Sequence, residues 1–187
     1  MNDRLAAAFA NLPDYLGQHV LLSASALLLA LAISLPLAIA AARSSAWRDP
    51  IIAAASLVQT IPGLALMALF YPLLLALSAA LLPLTGLKLP ALGFLPALLA
   101  LTLYALLPIL RNAVTGIEGV DPSVRQAALA VGMTRSQILW QVEAPLAAPV
   151  IMAGIRTAAV WTIGAATLAT PVGQTSLGNY IFSGLQT

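Results

Sequence analysis

Residues 118–145 read EGVDPSVRQAALAVGMTRSQILWQVEAP, a polar island between two apolar runs. It carries both charge signs and local helix signals. Asp121 suits an N-cap and Pro122 the first helical position. Val124, Ala127, Ala128 and Val131 then recur at i, i+3, i+4 and i+7, one face of a helix. Gly132 is placed to end that helix in the left-handed conformation that glycine adopts cheaply. Thr134 and Gln137 have capping-box spacing, so a second helix starts there. Ala144-Pro145 is expected to end it, because the residue before proline avoids the helical region. The island therefore reads as two short helices joined by a glycine turn, projecting between two spans. The small side chains of the first helix admit another surface at close range, and Arg125 and Gln126 flank them with donors. The competing reading packs this alanine face against the protein's own spans.

Composition supports a membrane setting. Of 187 residues, 61% are hydrophobic and 7% charged, where a soluble domain of this length carries about 25% charged residues. Cysteine is absent, which excludes disulfides, thiolate chemistry and zinc-finger spacing. A net charge of +2 is too small to argue for nucleic acid. Ala128, Gly132 and Ile138 do have helix-turn-helix spacing, but an island tethered at both ends to membrane lacks free approach to a groove. Membrane enzyme chemistry fares no better. There is one histidine, no HExxH, no GxSxG and no carboxylate cluster within a span, hence no metal site. No GxxxxGK[ST] loop is present to bind a nucleotide.

Four spans are expected. Residues 1–19 are mixed and read as an interfacial segment, with His19 at headgroup level. Asp3, Arg4 and Asp14 give no positive region of the kind that opens a signal peptide. Val20–Ala42 is the first span, with Pro36 inside it. Ile51–Leu82 runs 32 residues without a charge, too long for one upright helix through a core of about 30 Å and too short for two crossings. Gln59-Thr60-Ile61-Pro62-Gly63 interrupts it and Pro72 is expected to interrupt it again, giving one broken span. Leu84–Phe94 is a loop, Leu95–Leu110 the next span ended by Arg111, and Leu146–Thr170 the last full one. With a single crossing at Ile51–Leu82, Arg43, Arg48, Arg111, Arg125 and Arg135 share one side against Arg4 and Lys88. The positive-inside rule then puts the island in the cytoplasm and the N-terminus outside. Within the spans, Tyr71, Tyr104 and Trp161 offer ring faces to a quaternary ammonium, and Arg156 is an intramembrane charge. The plainer readings are that the aromatics pack and that Arg156 snorkels or pairs with Glu143.

The island also carries a family resemblance. Gln126-Ala127-Ala128, three residues, Gly132, nine residues, then Val142-Glu143-Ala144-Pro145 resembles the EAA signature of ABC importer permeases. Gln126, Val142 and Ala144 stand where that signature usually has Glu, Ile and Leu. Gln59-Thr60-Ile61-Pro62, Tyr104 to Asn112, Val120-Asp121-Pro122-Ser123 and Gly154-Ile155-Arg156-Thr157-Ala158 are similar to permeases for glycine betaine, carnitine, choline and related osmoprotectants. The likeness covers roughly residues 20–184. It implies an all-α integral membrane fold of the type I, methionine-permease-like class, residues 20–187 forming the transmembrane domain. Four apparent spans would be followed by a truncated last one, because such permeases usually continue beyond Ser176–Phe182. It further implies a bacterial inner-membrane location and no cofactor on this chain. ATP would be used by an ATPase subunit dimer that grips the loop 118–145 at Arg125, Gln126, Ala127, Ala128, Gly132 and Pro145. A second permease subunit and an extracytoplasmic binding protein, separate or fused, complete the implied assembly. The alternatives are a permease for another small solute such as an amino acid, or a non-transporting scaffold.

Overall fold

The computed structural model describes residues 2–185. Among these every regular element is a helix, with no strand. The helices are α1 (Asn2–Arg43), α2 (Ser45–Thr60), α3 (Gly63–Thr85), α4 (Phe94–Glu118), α5 (Pro122–Ala130), α6 (Arg135–Ile138), α7 (Ala144–Ala165) and α8 (Gly178–Leu185). A π-helical turn, Leu139–Glu143, joins α6 to α7, and a 3₁₀ turn, Ala166–Val172, follows α7. Four stretches are long and apolar enough to cross a membrane: Ala8–Arg43, Gly63–Thr85, Phe94–Glu118 and Arg135–Val172.

The centre of the bundle is α4, which packs against α1, α7, α3 and α2. Half of its apolar window is buried, 50% against 22–28% for the other three spans. The rest of the apolar surface faces outward, which costs nothing in hydrocarbon. Packing relies on small residues. Ala38, Ala41, Ala55 and Ala113 form one buried cluster with Leu107, Leu110 and Val114. Where α4 crosses α7 the backbones nearly touch: a Cβ on Gly154 would lie 2.6 Å from the Asn112 Cβ and 2.7 Å from the Pro108 carbonyl oxygen. Small residues are what permit such approach between spans.

The expected break falls where the Pro-Gly pair put it. α2 ends at Thr60, Ile61 and Pro62 are extended, and α3 starts at Gly63. α2 begins beside the end of α4, through Arg48 and Glu118, and ends beside its middle, where the Gln59 amide donates to the Tyr104 carbonyl at 3.0 Å. α3 continues to the other end, packing Leu66, Met67 and Phe70 among Ala97, Leu101 and Phe94. Together they make one broken crossing.

Four expectations need correction. Residues 2–19 do not form a separate segment; they continue without a break into α1. At about 1.5 Å per residue α1 is far longer than a core of about 30 Å requires. His19 is buried on that helix, and the Ser23 hydroxyl donates to its carbonyl at 2.8 Å. Pro72 lies inside a continuous α3, since one missing backbone bond does not break a membrane helix. α4 runs past Arg111 to Glu118, because the Arg111 guanidinium leaves the helix to donate to the Ser56 hydroxyl at 3.0 Å. Finally, Ala144-Pro145 does not end the second hairpin helix. The π-helical turn at Leu139–Glu143 opens the helix just before Pro145, whose nitrogen has no hydrogen to give and whose ring crowds the carbonyl four residues back. The chain therefore passes from hairpin to span without a joint.

Candidate functional site

The hairpin is built by the caps its sequence announces. The Asp121 carboxylate accepts from the Ser123 N–H at 2.8 Å, and this bond holds the carboxyl below its ordinary range. Pro122 occupies the first turn of α5. Gly132 adopts φ +86°, and the Met133 N–H closes back on the Ala128 carbonyl at 3.1 Å, the glycine-terminated ending of a helix. The Gln137 N–H donates to the Thr134 hydroxyl at 3.3 Å while the Thr134 N–H donates to the Gln137 side chain at 2.8 Å. That reciprocal pair is a capping box.

The faces of α5 are not the ones periodicity suggested. Ala128 is buried, whereas Ala127, Leu129 and Val131 are exposed. Val131 is 78% exposed and Leu129 56%, so the outward surface is small-to-medium apolar, flanked by exposed Gln126. Arg125 turns inward instead. Its Nε lies 2.8 Å from Glu143 Oε1, and a terminal nitrogen donates to the Ile117 carbonyl. Pro145 is exposed, at the head of α7 rather than on the hairpin tip.

Glu143 is the hub that sequence reasoning missed. Its side chain is 0% exposed, and Arg43, from the end of α1, reaches Oε2 at 2.5 Å and Oε1 at 3.4 Å. One buried carboxylate thus holds two guanidiniums from two different elements, and it stands in the π-helical turn that leads into α7. A second pair, Arg48 with Glu118 at 3.2 Å, ties α2 to the end of α4. Asp49 and Glu118 together raise the Arg48 guanidinium above its ordinary value. Arg156 is not the partner of Glu143: it is exposed and makes no hydrogen bond or ion pair among the described residues.

A second feature lies at the break between α2 and α3. Tyr104 and Trp161 line one cavity of 390 Å³ together with Gln59, Gly63, Thr162 and Leu168. Tyr71 and Arg156 are not part of it. The Tyr104 hydroxyl donates to the Ile61 carbonyl, one of the backbone groups that the break leaves free. No side chain caps the start of α3. Thr162 is 2% exposed, and its hydroxyl has no hydrogen-bond partner among the described residues. No charged residue lines the cavity. Gln59 and Gly63 were visible in the sequence as the interruption of an apolar run. Nothing in the sequence pointed to Thr162.

Comparison with known proteins fits this architecture. Residues 34–187 match the family model described as binding-protein-dependent transport system inner membrane component. The choline transport system permease protein OpuBB of Bacillus subtilis is 40% identical over 168 residues, 90% of this chain and 70% of that protein. The glycine betaine/carnitine/choline transport system permease protein OpuCB of the same organism is 40% identical over 169 residues, with the same coverage. The osmoprotectant import permease protein OsmW of Salmonella typhimurium is 39% identical over 90% of this chain and 73% of its own length. A family model covering most of the chain and relatives at 40% identity agree, and the chain belongs to the inner-membrane permease family of binding-protein-dependent ABC importers.

Proposed function

We propose that this permease conducts quaternary ammonium osmoprotectants, of the glycine betaine, choline and carnitine class, inward across the membrane. The observation that carries the reading is the cavity at the helix break, which brings two aromatic rings together with no fixed charge. Ring faces attract a permanent cation without holding it as an ion pair would, which suits a conduit that must release its solute. The similarity to OpuBB, OpuCB and OsmW, named for choline, for glycine betaine, carnitine and choline, and for osmoprotectants, favours the same solutes.

Residues 20–187 act as one transmembrane domain. The hairpin at 118–145 lies in the cytoplasm and the N-terminus outside. Clustering of Arg43, Arg48 and Arg125 at the hairpin end, with Lys88 in the loop at the far end of α4, supports that orientation. An ATPase dimer binds ATP and grips the exposed apolar surface of α5, Gln126 and Ala127 included. A second permease subunit completes the path, an extracytoplasmic binding protein delivers the solute, and this chain itself binds no cofactor. The test is reconstitution of the permease with its ATPase and binding protein in liposomes. ATP-dependent uptake of glycine betaine, choline or carnitine is expected, and uptake of amino acids alone would overturn the solute class.

A further inference from the structure

At the break between α2 and α3 the bundle presents donors that the chain does not satisfy. α3 has 23 residues and no side-chain cap. Its first backbone bond beyond the break is Leu66 N–H to the Pro62 carbonyl, so the N–H groups of Gly63, Leu64 and Ala65 carry no hydrogen bond among the described residues. Unpaired backbone donors at membrane depth are costly and are tolerated where they line a cavity. Gly63 does line one. Thr162 also lines this cavity; it is almost wholly buried, and its hydroxyl has no hydrogen-bond partner among the described residues. The opposite chemistry stands beside them: the rings of Trp161 and Tyr104, which carry no positive charge of their own.

We propose that this cavity is a binding station for a zwitterion, and that it reads both ends of the solute. A carboxylate accepts from the α3 N-terminus, where the aligned peptide dipoles favour negative charge, and from Thr162. The quaternary ammonium lies against Trp161 and Tyr104. The site therefore favours a carboxylated quaternary amine over a cation that lacks the carboxylate. This deepens the solute class proposed above and rests on it.

The test uses the assembled permease–ATPase complex without the binding protein, measuring equilibrium binding of labelled glycine betaine and of tetramethylammonium, a cation with no acceptor. Thr162→Val removes the hydroxyl at nearly constant shape. It should weaken glycine betaine binding about tenfold, the size of one hydrogen bond to a charged group, and leave tetramethylammonium unchanged. Thr162→Ser should restore binding, and Trp161→Leu should weaken both ligands. Thermal denaturation of each variant checks folding separately, so only a folded Thr162→Val is read for ligand binding. The proposal is overturned if Thr162→Val weakens both ligands equally or neither, or if the wild-type complex binds no glycine betaine. Uptake by the complete system is measured alongside. Uptake of glycine betaine with no effect of Thr162 removes the station and spares the solute class, whereas absence of quaternary amine uptake removes both.

Discussion

Glu143 shows what a single buried charge does in this bundle. A carboxylate with no exposure is costly unless paired, and here two guanidiniums, from α1 and α5, share it. Both arginines still reach water, their side chains 41% and 31% exposed, so the energy is well below that of a fully buried triad. Glu143→Gln keeps the volume and removes the charge. It should lower the stability of the purified permease by about 2 kcal/mol, after allowance for solvent screening. Thermal denaturation in detergent measures this, and a melting temperature equal to wild type would show that the clasp holds nothing. Glu143 was legible in the sequence as a lone acid near a span. Its partners were not, because Arg43 lies 100 positions away and only the packing of α1 on α4 and α7 brings it there.

At the scale of the element, the break between α2 and α3 depends on a tertiary cap. The Tyr104 hydroxyl accepts no part in α4 itself; it donates to the Ile61 carbonyl and so satisfies a backbone group stranded by Pro62. Tyr104→Phe leaves that carbonyl unpaired at a cost of about 1–3 kcal/mol. The expected result is faster amide hydrogen exchange over the last turn of α2 and the first turn of α3, with α4 unchanged. Equal exchange in the two proteins would mean that proline alone fixes the break. The interruption itself was readable from Gln59 to Gly63, since proline and glycine act locally. The π-helical turn before Pro145 was not. Proline forbids the ordinary continuation, but whether a helix stops there or widens depends on the span that follows and on what Glu143 must reach.

For the whole molecule, topology and partner surface are testable together, because the chain has no cysteine to interfere. A cysteine at Lys88 should react with an impermeant maleimide in intact cells. One at Val131 should react only after permeabilisation, and should cross-link to the ATPase in the complex. Val131 and Leu129 are the positions to use, since Ala128 is buried against the protein itself. Labelling of Val131→Cys from outside would invert the orientation and remove the ATPase from the hairpin.

Composition and local rules sufficed for the membrane class, the four crossings, the broken second crossing and the hairpin with its caps and glycine turn. Each of these depends on hydropathy over about 20 residues or on bonds between neighbours three to five positions apart, and such information is present in the chain itself. Burial of Ala128 rather than Val131 and the inward turn of Arg125 were decided by how α5 folds back on α6 and the π-helical turn, and the Arg43–Glu143 contact and the meeting of Tyr104, Trp161 and Thr162 in one cavity by how α1, α4 and α7 pack. Side chains that meet across long sequence separations leave no periodic trace, so their partnership is fixed by the three-dimensional arrangement and nowhere else.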